Sequence, residues 1–447
     1  MQPYSYRDSG IEWLGKIPTH WKVDRLRDQA VINDEALGTN TPVDYEIRYL
    51  DISNVNSQGI VDHDEIRPLA FADAPSRARR KVKKFDTVIS SVRTNLQAVA
   101  HIDFDMENLV ASTGFFVCRP KFLALVQPKY LYFFLLTEYS KEYFFSRSIG
   151  ISYPAIDDYD FGSIHMPVPP IEEQRAIAGF LDEACGKIDA AIQVKREQVA
   201  MLDVMAKAIL NKAVLEGLNP TVPKQTINNI WFKTLPAHWQ LRRLKDVSTM
   251  QTGVTLGKDY DGETDERPYL RVANVQDGHL ALDDVKTIKL PPNLIRRYEL
   301  QDGDVLMNEG GDLDKLGRGH VWHNEIPGCL HQNHVFALRC FPHKLLPDYL
   351  TLLTSSTHGR AYFEIMGKKT TNLASINSTK VNLFPVPLPP VTEQAEIVQW
   401  VQHERGKLKQ AQDAVNEQIA VLEAYKKSLV HECVTGKKQV WLKVSSA

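Results

Sequence analysis

Two stretches of this sequence repeat apolar residues every seven positions, and no other feature restricts the possible folds as much. Leu181, Ile188, Leu202 and Ile209 keep that step with Lys195 in the remaining slot, and Val401, Leu408, Val415, Leu422 and Leu429 keep it without a break. A seven-residue period belongs to a coiled-coil seam, a narrow apolar stripe that needs a second helix to cover it. Each stripe is therefore the natural partner of the other. The spacing predicts helices from about Pro170 to Gly217 and from about Pro390 to Gly436. At 1.5 Å per residue each is roughly 65 to 70 Å long, more than an ordinary globular domain requires, so each reads as a strut.

Both struts begin and end alike. Pro167-x-Pro169-Pro170 with Glu173-Gln174 returns as Pro387-x-Pro389-Pro390 with Glu393-Gln394. Proline suits a first helical turn, where its missing N–H would be unpaired anyway, and Glu172, Glu173 and Glu393 suit the positive end of the helix dipole. Gly217 with Pro220 and Pro223 ends the first helix, and Gly436 ends the second.

The repetition extends beyond the helices. Trp13, Ile17, Pro18, His20, Trp21, Leu26 and Asp28 reappear as Trp231, Leu235, Pro236, His238, Trp239, Leu244 and Asp246. Tyr49, Leu50, Asn54 and Val55 return as Tyr269, Leu270, Asn274 and Val275, each followed by a turn glycine, Gly59 or Gly278. Asp86–Ile89 matches Asp304–Met307, Phe116–Arg119 matches Phe336–Arg339, and Pro128, Tyr130 and Leu131 match Pro347, Tyr349 and Leu350. The chain is two copies of one plan, a mixed globular part followed by a strut. The expected fold class is multidomain α+β, with two mixed α/β parts alternating with two long helices paired as an antiparallel intramolecular coiled coil. If the struts pair within one chain, the short Asn219–Asn229 linker and the intervening globular part make antiparallel pairing the simpler arrangement, which implies a pseudo-twofold repeat with the globular parts at opposite ends. Strut length then limits their separation to about two turns of B-DNA, one turn being roughly 34 to 36 Å.

Composition excludes several classes. No run of about eighteen apolar residues occurs, and Met1 to Gly10 lacks a charged-then-apolar signal layout, which predicts a cytoplasmic protein. Cys118, Cys185, Cys329, Cys340 and Cys433 are scattered, without a CxxC pair, so neither a disulfide framework nor a zinc ribbon is implied. A net charge of -2 argues mildly against nucleic acid, but local clustering decides that question. There is no GxxxxGK[ST] phosphate loop, no HExxH and no GxSxG, and no Asn-Pro-Pro-aromatic or Asp-Pro-Pro-aromatic tetrad of the kind amino-group DNA methyltransferases carry. No catalytic residue is assigned.

The copies differ where loops are expected, and recognition is carried by loops held on rigid elements. Basic residues crowd at Arg77, Arg79, Arg80, Lys81, Lys83 and Lys84, with Arg296 and Arg297 at the matching place in copy two. Such a run is either a solvated face before a strand or a patch that contacts phosphates without sequence choice. Base choice needs other groups, Arg or Lys for guanine and Asn or Gln for adenine. Candidates are Arg93, Asn95, Gln97, Arg147 and Ser152 in copy one, and Asn308, Lys315, Arg318, Lys368, Lys369 and Asn372 in copy two. His320, His323, Cys329, His331 and His334 are of types that suit zinc. Copy one keeps only His101 there, and the stretch reads better as strand, Pro327-Gly328 turn, strand, so no metal is expected. His20 and His238, each before a tryptophan, read as packed framework histidines.

Asp8-Ser9-Gly10-Ile11-Glu12-Trp13-Leu14-Gly15 through Ile17-Pro18-x-His20-Trp21, its echo Leu235-Pro236-x-His238-Trp239, and the twice-used Pro-x-Pro-Pro-x-x-Glu-Gln resemble the specificity subunit of type I restriction-modification systems. The resemblance covers almost the whole chain. It implies target recognition domains at 1–165 and 230–385, long helices at 166–217 and 386–436, a linker at 218–229 and a tail at 437–447. It also implies that each domain reads one half of a split double-stranded DNA sequence while the helices dock two modification subunits and, through them, restriction subunits. S-adenosylmethionine, ATP and Mg would then belong to those partners and none to this chain, in a bacterial or archaeal cytoplasm. Copy two departs by having Asn228-Asn229-Ile230 before its tryptophan, which puts the fold of 221–232 in question. The alternative is a coiled-coil adaptor whose globular parts bind proteins; sequence preference in DNA binding separates the two.

Overall fold

Both heptad stretches form unbroken helices, Ile171–Glu216 and Val391–Val434, 46 and 44 residues long. The computed structural model describes residues 4–56, 59–92, 98–150, 154–257, 262–311, 313, 316–369 and 374–440. Two units emerge, one of Met1–Arg196 with Glu417–Ala447 and one of Glu197–Asn416. Neither unit is a globular part followed by its own strut. Each instead combines a globular part with the beginning of its own helix and the end of the other copy's.

In the first unit, residues 171–196 run opposite to 417–434. Lys426 Nζ lies 2.7 Å from Asp189, and Arg196 Nη2 lies 3.0 Å from Glu423, so the numbering rises on one helix as it falls on the other. The second unit repeats the arrangement with Gln412 donating to Asp203 at 2.6 Å. Leu181, Ile188, Val401, Val415 and Leu429 are buried, whereas Leu202, Ile209, Leu408 and Leu422 are half-buried. Lys195, the polar residue in the seam, donates across to Gln418. A second stripe, offset by three or four positions, completes the helix faces with Cys185, Ile192, Ala213 and Cys433.

The first globular part holds two four-stranded sheets. One has the order Pro68–Ala70, Glu46–Leu50, Leu109–Ser112, Ala78–Lys81, with its central pair parallel. The other, Ala30–Ile32, Phe115–Pro120, Thr87–Ser90, Val99–His101, is antiparallel throughout. Thr87–Ser90 is buried along its whole length, as befits a strand paired on both sides. Helices Pro128–Leu135, Glu138–Arg147 and Asp158–Gly162 cover this second sheet's side of the core. Trp21, Phe116, Tyr130, Phe134 and Phe161 join Leu181, Ile188, Ile192, Leu429 and Val434 in one cluster, so domain and helix pair share a core.

The second globular part repeats this with Ser248–Thr252, Val335–Cys340, Val305–Asn308 and Gly319–Val321 as its antiparallel sheet. Its other main sheet is Lys286–Leu290, Asp265–Leu270 and Leu330–His331, again with one parallel pair. Here the copies diverge. Where copy one has the strand Ala78–Lys81 beside Leu109–Ser112, copy two packs the helix Pro292–Tyr298 on Leu330–His331. Ile295 shares a core with Tyr269 and Leu330, as Ala78 does with Ile47 and Val110. The 221–232 stretch is resolved in favour of the repeat, because Lys224–Thr226 pairs with Thr234–Pro236 just as Tyr6–Asp8 pairs with Lys16–Pro18.

The repeated short motifs turn out to meet in space. Glu173 accepts from Trp21 Nε1 at 2.9 Å and lies 2.7 Å from His20 Nε2, and Glu393 does the same for Trp239 at 3.1 Å and His238 at 2.7 Å. Gln174 bonds Pro169 O, Leu125 O and Gln127 N; Gln394 bonds Pro389 O, Lys344 O and Leu346 N. The buried Tyr130 hydroxyl ties Pro167 O to Val434 O, and Tyr349 ties Pro387 O to Val214 O. Each helix start is therefore clamped to its own domain and to the far end of the other helix. Gly217 and Gly436 end the helices at φ +80° and +73°, the left-handed region that favours glycine.

Candidate functional site

The basic run of copy one is a charge network tied to its neighbours at the surface. Arg77 donates to Tyr49 OH at 2.9 Å and to Asp51 at 2.6 Å, and the Tyr49 bond is the largest influence raising its pKa. Arg79 donates to Ser76 O and lies over the Phe71 ring. Arg80 donates to the Phe115 carbonyl, and burial pulls its guanidinium below the usual arginine range. Lys81 and Lys83 share Glu35, whose carboxyl is held low chiefly by Lys83, and Lys84 pairs with Asp105 at 2.9 Å. Most of the run's charge is thus met by neighbouring carboxylates or turned toward the strand's own packing, while Arg77, Lys83 and Lys84 stay exposed. Arg77 is 58% exposed, with its fork oriented by two side chains. Arg147, over the Tyr143 ring, pairs with Asp160 at 3.3 Å.

Copy two is different. Arg296 and Arg297 are exposed on the helix Pro292–Tyr298, and neither forms an ion pair among the described residues. Lys368 and Lys369 are exposed on a short strand paired with Ala374–Ser375, which pairs in turn with Gly310–Gly311. Asn308 is a correction on accessibility, since it is 4% exposed and its amide N–H donates to Val275 O at 2.8 Å, which keeps it away from a base. Arg318 is half-buried beside Gly317 and Gly319. Those glycines are framework: a Cβ at Gly319 would sit 1.8 Å from Leu306 O, and at Gly317 2.3 Å from the Phe363 ring. Arg93, Asn95, Gln97, Ser152, Lys315 and Asn372 lie outside the described residues.

The histidine-rich stretch scatters. His331 is fully buried with Nδ1 2.6 Å from Val335 O, and His334 pairs with Glu309 at 2.7 Å. Among the described residues no group of His, Cys, Asp and Glu is arranged to hold a metal. Burial pushes His331 and His358 down to about 4, from an ordinary 6.5. An unfolded chain therefore binds protons there that the folded chain refuses, and stability falls as pH drops from about 6.5 to about 4. Thermal melts across that range should show the fall, and His358→Gln should flatten it; an unchanged slope would rule His358 out as a contributor.

Two paired charges escaped the sequence reading. Asp86, buried, takes Arg119 in a two-pronged bond at 2.9 and 2.9 Å, and Asp304 takes Arg339 at 2.8 and 2.8 Å. Both pairs stand at matched positions of the repeat, which was the signal available. Near the second pair, Thr249, Gln251, Thr252, Arg297 and Arg339 line a polar hollow of about 300 Å³. No helix among the described residues is long and apolar enough to cross a membrane.

The family model for the type I restriction modification DNA specificity domain matches residues 77–198 and 236–410. The chain is 28% identical over 270 residues to the type I restriction enzyme EcoKI specificity subunit of Escherichia coli K12, covering 58% of this chain and 54% of that protein. It is 25% identical over 281 residues to the StySPI specificity subunit of Salmonella potsdam, covering 62% and 58%. These alignments thus span little more than half the length of the relatives. Among solved structures, a chain from work on complex assembly and conformational transition of the type I R-M system has a TM-score of 0.72 at 22% identity, covering 94% of this chain and 99% of that one. The HsdS subunit from Thermoanaerobacter tengcongensis gives 0.52 at 21% identity, covering 94% and 98%. Both are likenesses of fold.

Proposed function

This chain belongs to the type I restriction-modification DNA specificity family, and from that membership we propose that it is a non-catalytic subunit that reads a bipartite double-stranded DNA target. Each globular part reads one half, and the paired helices set the spacing. The observation that carries this reading is a framework repeated bond for bond, Glu173 for Glu393 and Tyr130 for Tyr349, around recognition surfaces that differ.

Two modification subunits dock on the helices, whose outer faces carry charges of both signs, such as Glu172, Arg175, Glu183 and Lys187. Restriction subunits join through them. Methyl transfer with S-adenosylmethionine and ATP-driven cleavage with Mg reside in those partners, and the chain acts in the cytoplasm on host DNA. Gel-shift titration of the chain with its modification subunits, against a randomised duplex library and across a salt series, tests this. Enrichment of a split motif is the expected result; equal binding to all sequences at every salt concentration would mean that the chain is an adaptor.

A further inference from the structure

We propose that the helix Pro292–Tyr298 and the hollow at its foot form a phosphodiester-binding subsite of the second globular part, with Arg297 as its principal contact. The inference rests on the DNA-reading role proposed above and adds a named contact to it. Its first support is a comparison of the copies. Ala78 and Ile295 are buried at matching places over matching strands, and each is followed by two arginines, Arg79-Arg80 and Arg296-Arg297. The backbone there is a strand in one copy and a helix in the other, so packing did not preserve the charge.

The second support is chemical. In copy one Arg80 is turned inward onto Phe115 O and Arg79 onto Ser76 O, whereas Arg296 and Arg297 stay exposed without a carboxylate among the described residues. Thr249, Gln251, Thr252 and Arg297 give the hollow hydroxyl, amide and guanidinium groups. The nearby carboxylate, Asp304, is 1% exposed and already holds Arg339 in two bonds. A hollow lined by donors and by no acidic residue selects an anion. Gln251, which lines the hollow, has its amide nitrogen 3.5 Å from Nε2 of the buried His331. A backbone phosphate meets this description, and its capture would set register without choosing bases.

The test is Arg297→Gln in the full chain with its modification subunits, read by affinity for the cognate duplex over a salt series. Affinity should fall roughly tenfold, equally for cognate and altered sequences, and the salt slope should shrink by about 1. Arg297→Lys should restore most of the slope. An unchanged slope in Arg297→Gln, with wild type still selecting its motif, overturns the subsite and leaves DNA reading intact. Loss of preference at one base pair would make Arg297 a base reader and also overturn it. If inorganic phosphate raises the melting temperature of wild type but not of Arg297→Gln while DNA affinity is unaltered, the hollow holds a free anion and the DNA contact is wrong. A wild type without sequence preference sinks both readings.

Discussion

Exchanging residues 1–165 for the corresponding part of a relative with a different target will replace one half of the recognised sequence and leave the other untouched. Affinity for the old composite site should drop roughly a thousandfold, since each mismatched pair costs about 1–3 kcal/mol and a half-site holds several. The graft must keep the bonds that the domain makes to its helices. Trp21 and His20 need Glu173, Gln127 needs Gln174, and Tyr130 needs both Pro167 O and Val434 O. A chimera lacking them would lose binding by misfolding, which a melting curve detects. With those bonds retained, selection from a randomised library should return a hybrid motif; two altered halves, or none, would refute modular reading.

The second large effect is on stability. Asp304→Ala should destabilise the second unit by about 3 kcal/mol, measured by denaturant unfolding. The carboxylate is 1% exposed, accepts two bonds from Arg339 and a third from Gln301 N at 2.8 Å. Removing it leaves the Arg339 guanidinium and a part-buried backbone donor without their acceptor. Arg339 is 39% exposed and regains some water, which keeps the figure at the lower end for a broken buried pair. Changing both residues, Asp304→Leu with Arg339→Met, should recover much of the loss, because a matched apolar pair pays no desolvation. If the single substitution is silent, the pair is not a structural tie.

Much of the architecture was legible because it is written in period and repetition. A seven-residue step with Pro before and Gly after defines a long helix whatever surrounds it, and the duplicated motifs defined the two-copy plan. What the step could not supply was membership. Seam residues Leu181 and Leu429 belong to one core with Trp21 and Phe116, and this follows from three-dimensional closure rather than from any local pattern. The candidate site was less legible. Arg79, Arg80 and Lys83 look alike as letters, yet one lies over Phe71, one turns inward to a carbonyl and one pairs with Glu35. Asn308 has the chemistry to read adenine but is buried at the end of its strand, holding Val275 O. Burial, which depends on residues distant in sequence, separated the arginines of the two copies.

The discontinuity of the first unit also fixes an order of events at the ribosome. The stretch 197–416 has all its parts by the time its last residue emerges, whereas the Tyr130 hydroxyl awaits a carbonyl 304 positions downstream. At about 5–20 residues per second that interval lasts roughly 15 to 60 s. Through it, Ile188 and Ile192 lack the cover that Leu429 and Val430 will bring. The inserted half therefore matures first, and the half begun earliest is finished last, as a nascent chain with an uncovered helix face.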